Sequence, residues 1–183
     1  MKLTKQVLKI IPTYLELNTE ICGYIFPDGK DVNLFVSSVG EEIKENKRGQ
    51  CTPDGSKPYI WHTHPSIVKQ YPSAEDILKV LNPKYAISVS LVFSVWGIWK
   101  IASPDKIHDL RETKALWIDK INRFLATIYH STNRGRVYEE GSIKKTIKNI
   151  CRYIYDNTGS KLYISLHVTD YTTEYISKTM SFR

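Results

Sequence analysis

Apolar residues recur at helical spacing at the start of the chain and at strand spacing in the segments that follow. Residues 4–17 present one apolar helical face, formed by Val7, Ile10, Ile11, Tyr14 and Leu17. This periodicity predicts an amphipathic helix. Because Pro12 lies inside the pattern, the segment is either a kinked helix or a short element followed by a helix that begins near Pro12.

The next segments have the patterns of β-strands. Residues 20–26 (EICGYIF) form a buried apolar run, a PDGK turn follows, and residues 31–38 alternate as a partner strand. Residues 40–58 are polar and rich in Gly, Pro, Lys and Asp, which predicts a long loop. Residues 59–64 return to a strand pattern.

The rest of the chain is mainly helical. Serine at an N-cap position and acidic residues in the first turn predict a helix that begins at Ser73. Two strands joined by a tight connection follow within residues 85–103. The last predicted elements are an amphipathic helix at 104–130, a helix at 138–157 closed by Gly159, and a strand at 161–168, before a polar tail from Asp170.

This order of elements predicts an α/β layered domain with a mixed, largely antiparallel sheet flanked by helices. We divide the chain into a core, residues 1–103, and a mainly helical C-terminal extension, residues 104–183, that packs on the core or on a partner. A chain of 183 residues can bury a core without disulfide or metal staples. A metal ion would therefore be functional rather than structural.

Cysteine usage and hydropathy favour an intracellular protein of the cytoplasm or nucleus. Cys22, Cys51 and Cys151 are far apart and form no C-x-x-C pair, which argues against a disulfide framework. Cys22 and Cys151 lie in apolar runs and are expected to be small buried side chains. We find no signal peptide and no membrane span in the pattern. Abundant Lys, Ile, Asn and Tyr suggest an AT-rich genome, such as that of a parasite or of a large DNA virus whose protein acts in a host cell.

The net charge of +7 fits an acidic partner, including nucleic acid. A basic helical face is formed by Lys144, Lys145, Lys148 and Arg152. Such a face is more often simply solvated, and no nucleic-acid motif accompanies it.

Candidate chemistry is concentrated in residues 61–76, WHTHPSIVKQYPSAED. On a strand, His62 and His64 point to the same face, and Asp76 follows in the first turn of the next helix. Two histidines, one carboxylate and a water form a catalytic zinc site. Each piece also has a simpler interpretation, because an exposed strand face can carry two histidines and Ser73-x-x-Asp76 is a capping box.

The complete order of these residues resembles the JAMM motif of the MPN-domain metalloproteases, HxHPx7SxxD. That family also has an upstream glutamate with a glycine three residues on, which EICGYIF supplies as Glu20 and Gly23. VSLVFSVWGIWKI resembles the strand pair after the metal helix, so the resemblance covers about residues 5–103. It implies a layered MPN fold related to that of the cytidine deaminases, whose own H-x-E and P-C-x-x-C motifs are absent.

The resemblance implies one Zn²⁺ per chain, held by His62, His64 and Asp76. It implies that Glu20 is the general base and acid, and that Ser73 hydrogen-bonds the developing oxyanion or the water at the metal. Thr63 stands where the family often has serine. Its side chain is expected on the other strand face, with little effect on the site.

The implied reaction is metal-assisted hydrolysis of an amide bond by a deubiquitinase-like isopeptidase that removes ubiquitin or a ubiquitin-like modifier. Residues 40–58 and 65–72 lie where substrate contacts can form. One alternative is an MPN-fold subunit whose basic C-terminal part docks on a protein partner or on nucleic acid, with the zinc site secondary. Another is a peptidase for a non-ubiquitin substrate, or a RadC-like protein. Inactive family members generally lose ligands, whereas this chain keeps them all, which favours the enzyme.

Overall fold

A computed structural model describes residues 2–28, 31–43, 51–66, 68–108, 110–131 and 138–168. The strands are β1 (Lys2–Leu3), β2 (Ile21–Asp28), β3 (Asp31–Val39), β4 (Tyr59–Thr63), β5 (Val89–Ser94), β6 (Gly97–Ala102) and β7 (Tyr163–Val168). The helices are α1 (Lys5–Leu15), α2 (Ala74–Lys79), α3 (Leu110–Ser131) and α4 (Glu140–Thr158).

The strands form one seven-stranded sheet in the order β1-β3-β2-β4-β5-β6-β7. β1 pairs with β3 and β4 pairs with β5 in parallel, whereas the other neighbouring strands are antiparallel. The predicted α/β class with a mixed sheet is therefore confirmed. β4, which carries the histidines, lies in the interior of the sheet between β2 and β5.

Side chains that alternate along the central strands enter two separate hydrophobic clusters. On β4, Trp61 joins the cluster beneath α1, whereas Ile60 joins the cluster shared with the other three helices. On β5, Phe93 and Val92 divide in the same way. Strands that are buried on both faces need apolar residues at successive positions, which explains these continuous apolar runs. The sheet is thus covered by α1 on one face and by α2, α3 and α4 on the other.

α1 is one helix that runs through Pro12. Thr4 begins it, because its hydroxyl accepts a hydrogen bond from the backbone N–H of Val7 at 3.3 Å. The alternative of a short element followed by a new helix at Pro12 is therefore wrong. Apolar residues on one face of α1, including Ile11 and Leu15, pack against the sheet and hold the helix in place.

The start of α3 differs from the prediction, because the helix begins at Leu110 and not at residue 104. The Lys106 ammonium donates hydrogen bonds to the carbonyl of Val80, at 2.7 Å, and to the carbonyl of Ile87. The backbone N–H of Ile107 donates to the carbonyl of Leu81 at 2.9 Å. These contacts with the chain after α2 replace the first turns of the predicted helix, and periodicity alone could not show them.

The C-terminal region packs on the core. β7 pairs with β6 and completes the sheet, and Ile121 of α3 and Ile150 of α4 belong to the same cluster as Ile77 of α2. α4 ends at Thr158 and is closed by Gly159, as predicted, whose φ of 70° lies in the left-handed region that favours glycine. Parts of the predicted PDGK turn and of the loop at 40–58, the break before α4 and the tail from Asp170 lie outside the described residues.

The expectation that no disulfide forms is wrong. Cys22 and Cys51 are disulfide-bonded, with their Cα atoms 6.0 Å apart although 29 residues separate them along the chain. Cys22 is fully buried, as expected, and Cys151 is a half-buried free thiol. Spacing could not reveal the pair, because it forms only when the long loop returns to β2. Of the helices described, none is long and apolar enough to cross a membrane.

Candidate metal centre

The two histidines are placed by the end of β4. His62 lies within the strand, and His64 follows its last residue. The backbone N–H of His64 still donates to the carbonyl of Phe93 on β5 at 2.7 Å, so the strand geometry extends to this residue. The chain then returns through residues 65–72 to α2, whose first turn carries Asp76.

The nitrogen and oxygen atoms of these three side chains converge. Nε2 of His62 lies 3.3 Å from Nε2 of His64 and 3.4 Å from Oδ1 of Asp76, and Nε2 of His64 lies 3.5 Å from Oδ2 of Asp76. A tetrahedral zinc ion with ligands at about 2.0–2.1 Å separates its donor atoms by about 3.3 Å. The three side chains are buried, and they form a group that can hold a metal ion.

The two imidazoles are held differently. Nδ1 of His64 lies 3.0 Å from the carbonyl oxygen of Lys69. Nδ1 therefore carries the proton in the neutral ring, and Nε2 presents its lone pair to the other two side chains. Nδ1 of His62 is buried and has no hydrogen-bond partner among the described residues. The orientation of His62 is consequently set by its strand and by packing.

Charge within this group favours an ionised Asp76. Burial raises the pKa of Asp76, but His62 and His64 outweigh that effect and hold the pKa well below its ordinary value. Burial lowers the pKa of His64, but Asp76, Glu20 and the Lys69 carbonyl together outweigh it, so the net pKa lies above its ordinary value. Nζ of Lys79 lies 3.4 Å from Oδ1 of Asp76, a contact that sequence reasoning missed. The buried carboxylate thus attracts cations from several sides.

Ser73 and Asp76 form the predicted capping box. The hydroxyl of Ser73 accepts a hydrogen bond from the Asp76 N–H at 3.1 Å and donates its proton to Oδ2 of Asp76 at 2.7 Å. The backbone N–H of Ser73 donates to the same oxygen at 2.9 Å. The capping interpretation and the metal interpretation therefore describe one arrangement, because the bonds that start α2 also orient the Asp76 carboxylate.

Glu20 lies just before β2 and lines the same cleft as the metal group. The start of β2 is fixed by Thr63, whose hydroxyl accepts a hydrogen bond from the backbone N–H of Ile21 at 2.9 Å. The Thr63 side chain lies away from the metal group, as expected, but it anchors the residue next to Glu20. Cys22, two residues on, is the Cα partner of His62 on β4.

The environment of the Glu20 carboxylate favours its protonated form. Burial raises the pKa of Glu20 above its ordinary value, and His62 and His64 oppose this rise only in part. Oε2 accepts a hydrogen bond from the backbone N–H of Cys51 at 3.3 Å. Glu20 is therefore a partly buried carboxylate with a pKa closer to neutrality than that of an exposed glutamate.

The loop between His64 and α2 is held by Gln70, which sequence reasoning missed. This buried side chain donates to the carbonyls of Pro65, at 3.0 Å, and Val68, at 2.7 Å, and its oxygen accepts from the Val95 N–H at 2.8 Å. A polar residue within a loop gives no sequence signal of burial. These bonds shape the turn that presents the Lys69 carbonyl to His64.

The metal group opens into a cleft of about 1000 Å³. One side is formed by the metal group, Glu20 and α2, and residues of α3 form the other. The α3 wall consists of Lys114, Ile118, Asn122, Leu125, Ala126 and Tyr129. The C-terminal extension therefore contributes directly to the site, which the amphipathic pattern of α3 could not indicate, because periodicity shows a buried face but not its neighbour.

The basic face of α4 is partly neutralised within the helix. Lys144 forms an ion pair with Glu140, and Arg152 lies 3.3 Å from Asp156. Both pairs are exposed and span one helical turn, as on an ordinary solvated helix face.

Comparisons with known protein families, with curated proteins and with solved structures found no match for this chain. The case for a function therefore depends on the local geometry and on the motif.

Proposed function

We propose that the chain is a zinc-dependent hydrolase of amide bonds, an isopeptidase that removes ubiquitin or a ubiquitin-like modifier. The observation that carries the proposal is the convergence of His62, His64 and Asp76 in a cleft that Glu20 also lines. These are the residues that the JAMM-like motif selects from the sequence. A group that only capped α2 would not require two buried imidazoles at coordination spacing.

Zinc fits the donor set better than magnesium or calcium. Two imidazole nitrogens and one carboxylate oxygen are borderline ligands that suit zinc, whereas magnesium and calcium prefer a shell of oxygen atoms. Three protein ligands leave one position of a tetrahedron, as catalytic zinc sites do. His62, His64 and Asp76 line the cleft, so a substrate carbonyl could approach a metal ion held by them.

Each side chain then has a defined task. Zinc held here would polarise the scissile carbonyl and make water acidic enough to react near neutral pH. Glu20 would take a proton from the attacking water and deliver it to the leaving amine. Its raised pKa suits this exchange, because a carboxylate that binds a proton more tightly is a stronger base. Ser73 would keep the Asp76 carboxylate oriented toward the metal.

The modifier is suggested by the motif, and the cleft is compatible with it. Side chains of α2 and α3 line the cleft, together with Cys51 and Thr52. Apolar side chains such as Tyr71 and Leu125 line it beside charged residues such as Lys79. An extended C-terminal tail, linked through its last carbonyl to a lysine amine, is a substrate that a cleft of about 1000 Å³ with this mixed lining can hold.

The test is hydrolysis of lysine-linked ubiquitin dimers and of a fluorogenic ubiquitin C-terminal amide by zinc-loaded protein. Glu20→Gln should keep zinc and lose at least about a hundredfold in turnover, because the variant lacks the base. Glu75→Gln changes another carboxylate that lines the cleft, and it should retain activity. If the wild-type protein cleaves neither probe, the isopeptidase assignment is wrong.

A further inference from the structure

The Cys22–Cys51 disulfide lies beside the candidate metal centre. Cys22 is opposite His62 in the register of β2 and β4, and opposite residues on neighbouring strands direct their side chains to the same face. Cys51 comes from the segment before β4 and lines the cleft. The bond therefore joins the strand that follows Glu20 to the segment that borders the site.

The same cysteine also contacts Glu20. The backbone N–H of Cys51 donates to Oε2 of Glu20 at 3.3 Å, while its sulfur is bonded to Cys22, two residues after Glu20. The disulfide and the hydrogen bond, together with the backbone from Glu20 to Cys22, close a ring that includes the Glu20 carboxylate. The position of the Glu20 side chain is therefore coupled to the disulfide.

Among the described residues of this segment, backbone hydrogen bonds to the core lie farther along the chain than Cys51. The carbonyl of Gly55 accepts from the Ala86 N–H at 2.9 Å, and the carbonyl of Pro58 accepts from Ser88 at 2.8 Å. These bonds hold the part of the segment next to β4, four or more residues beyond Cys51. Opening the disulfide would thus free the backbone at Cys51 while β4 and its histidines keep their hydrogen bonds.

We propose that the Cys22–Cys51 disulfide positions the Glu20 carboxylate, so that opening the bond lowers turnover while the metal ligands keep their places. The inference depends on the hydrolytic function proposed above. Cys22 and Cys51 are positioning residues, because they act through Glu20. The same arrangement makes turnover sensitive to the redox state of its surroundings.

The chemical step is reduction of one sulfur–sulfur bond. A water-soluble phosphine breaks the bond, leaves two thiols, and becomes a phosphine oxide whose oxygen comes from water. Oxidation by a small disulfide, which is itself reduced to two thiols, restores the bond. Cys151 is a free thiol on α4, so Cys151→Ser provides a matched control.

The experiment compares oxidised, phosphine-reduced and reoxidised zinc-loaded protein, together with the double variant Cys22→Ser, Cys51→Ser. We expect kcat to fall at least about tenfold when the bond is open, because the base is misplaced. KM and zinc content should change by less than about twofold, and reoxidation should restore the wild-type kcat. Cys151→Ser should respond to reduction and reoxidation as the wild-type protein does.

A second readout needs neither activity nor metal. In the metal-free oxidised protein, Glu20→Gln should shift the backbone amide resonance of Cys51, because the variant changes the acceptor of that N–H. In the reduced protein the same substitution should leave the resonance nearly unchanged. Kinetics should agree, since opening the disulfide should reduce activity no further in Glu20→Gln.

The outcomes separate the two proposals. An active wild-type protein whose kcat is the same in oxidised and reduced forms overturns the positioning role and leaves the hydrolase intact. If Glu20→Gln leaves the Cys51 amide resonance of the oxidised protein unshifted, the positioning role is likewise overturned and the hydrolase proposal stands. A wild-type protein that hydrolyses neither ubiquitin probe overturns both proposals. A reversible fall in kcat at constant zinc content supports them together.

Discussion

Substitution of Ser73 separates helix capping from support of the metal ligand. Its hydroxyl accepts from the Asp76 N–H at 3.1 Å and donates to Oδ2 of Asp76 at 2.7 Å. Loss of an N-cap hydroxyl through Ser→Ala costs about 1 kcal/mol of stability, whereas Ser→Gly costs only a few tenths. Loss of a hydrogen bond that orients a metal ligand weakens metal binding by about 10- to 100-fold. The two roles therefore respond differently to the same pair of variants.

We expect Ser73→Ala to lower the free energy of unfolding of the metal-free protein by about 1 kcal/mol, and Ser73→Gly to lower it by a few tenths. Both variants should lose about 10- to 100-fold in zinc affinity, equivalent to about 1.4–2.7 kcal/mol, because both lack the hydroxyl. Urea unfolding measures the first quantity, and competition with a chelator measures the second. Zinc affinity that is unchanged in both variants, or that falls only in the less stable one, would refute a ligand-orienting role.

Three further predictions follow from contacts around the site. Cys22→Ser with Cys51→Ser removes a disulfide that spans 29 residues and should lower the free energy of unfolding by about 3–4 kcal/mol. Urea unfolding measures this loss, with Cys151→Ser as the control. An equal loss of stability in Cys151→Ser would contradict the prediction. Gly23→Ala should unfold the protein or lower its melting temperature sharply, because the new Cβ would lie 1.7 Å from the Phe35 carbonyl oxygen, and a wild-type melting curve would contradict this close approach. Zinc affinity should weaken as the pH falls from about 8 to about 6, since protons compete with the metal at His64, whose pKa lies above its ordinary value because Asp76, Glu20 and the Lys69 carbonyl together outweigh burial; titration calorimetry that shows constant affinity across this range would contradict it.

Local patterns of the sequence predicted much of the secondary structure. Alternation located β3, and the Ser73 cap located α2, because these signals arise from residues that are close along the chain. The predicted start of α3 was wrong, because Lys106 and Ile107 donate hydrogen bonds to the backbone carbonyls of Val80 and Leu81. Such distant partners override a helical pattern and leave no trace in its periodicity.

In the candidate site, too, the sequence predicted the residues that are close along the chain and missed the contacts between distant segments. His62, His64 and Asp76 could be selected from one short segment, because a strand, a turn and a helix start bring them together locally. The Cys51 contact with Glu20 was not predictable, because it depends on the return of a long loop. The α3 wall of the cleft was missed for the same reason, since it depends on where a distant helix packs.

The central claim is that these three side chains hold one zinc ion. The most direct measurement is the zinc content of protein purified without chelators, checked by titration of zinc into the metal-stripped protein. We expect one zinc per chain in the wild-type protein and none in the His62→Ala, His64→Ala variant. A wild-type protein that contains no zinc and takes up none when titrated would contradict the central claim.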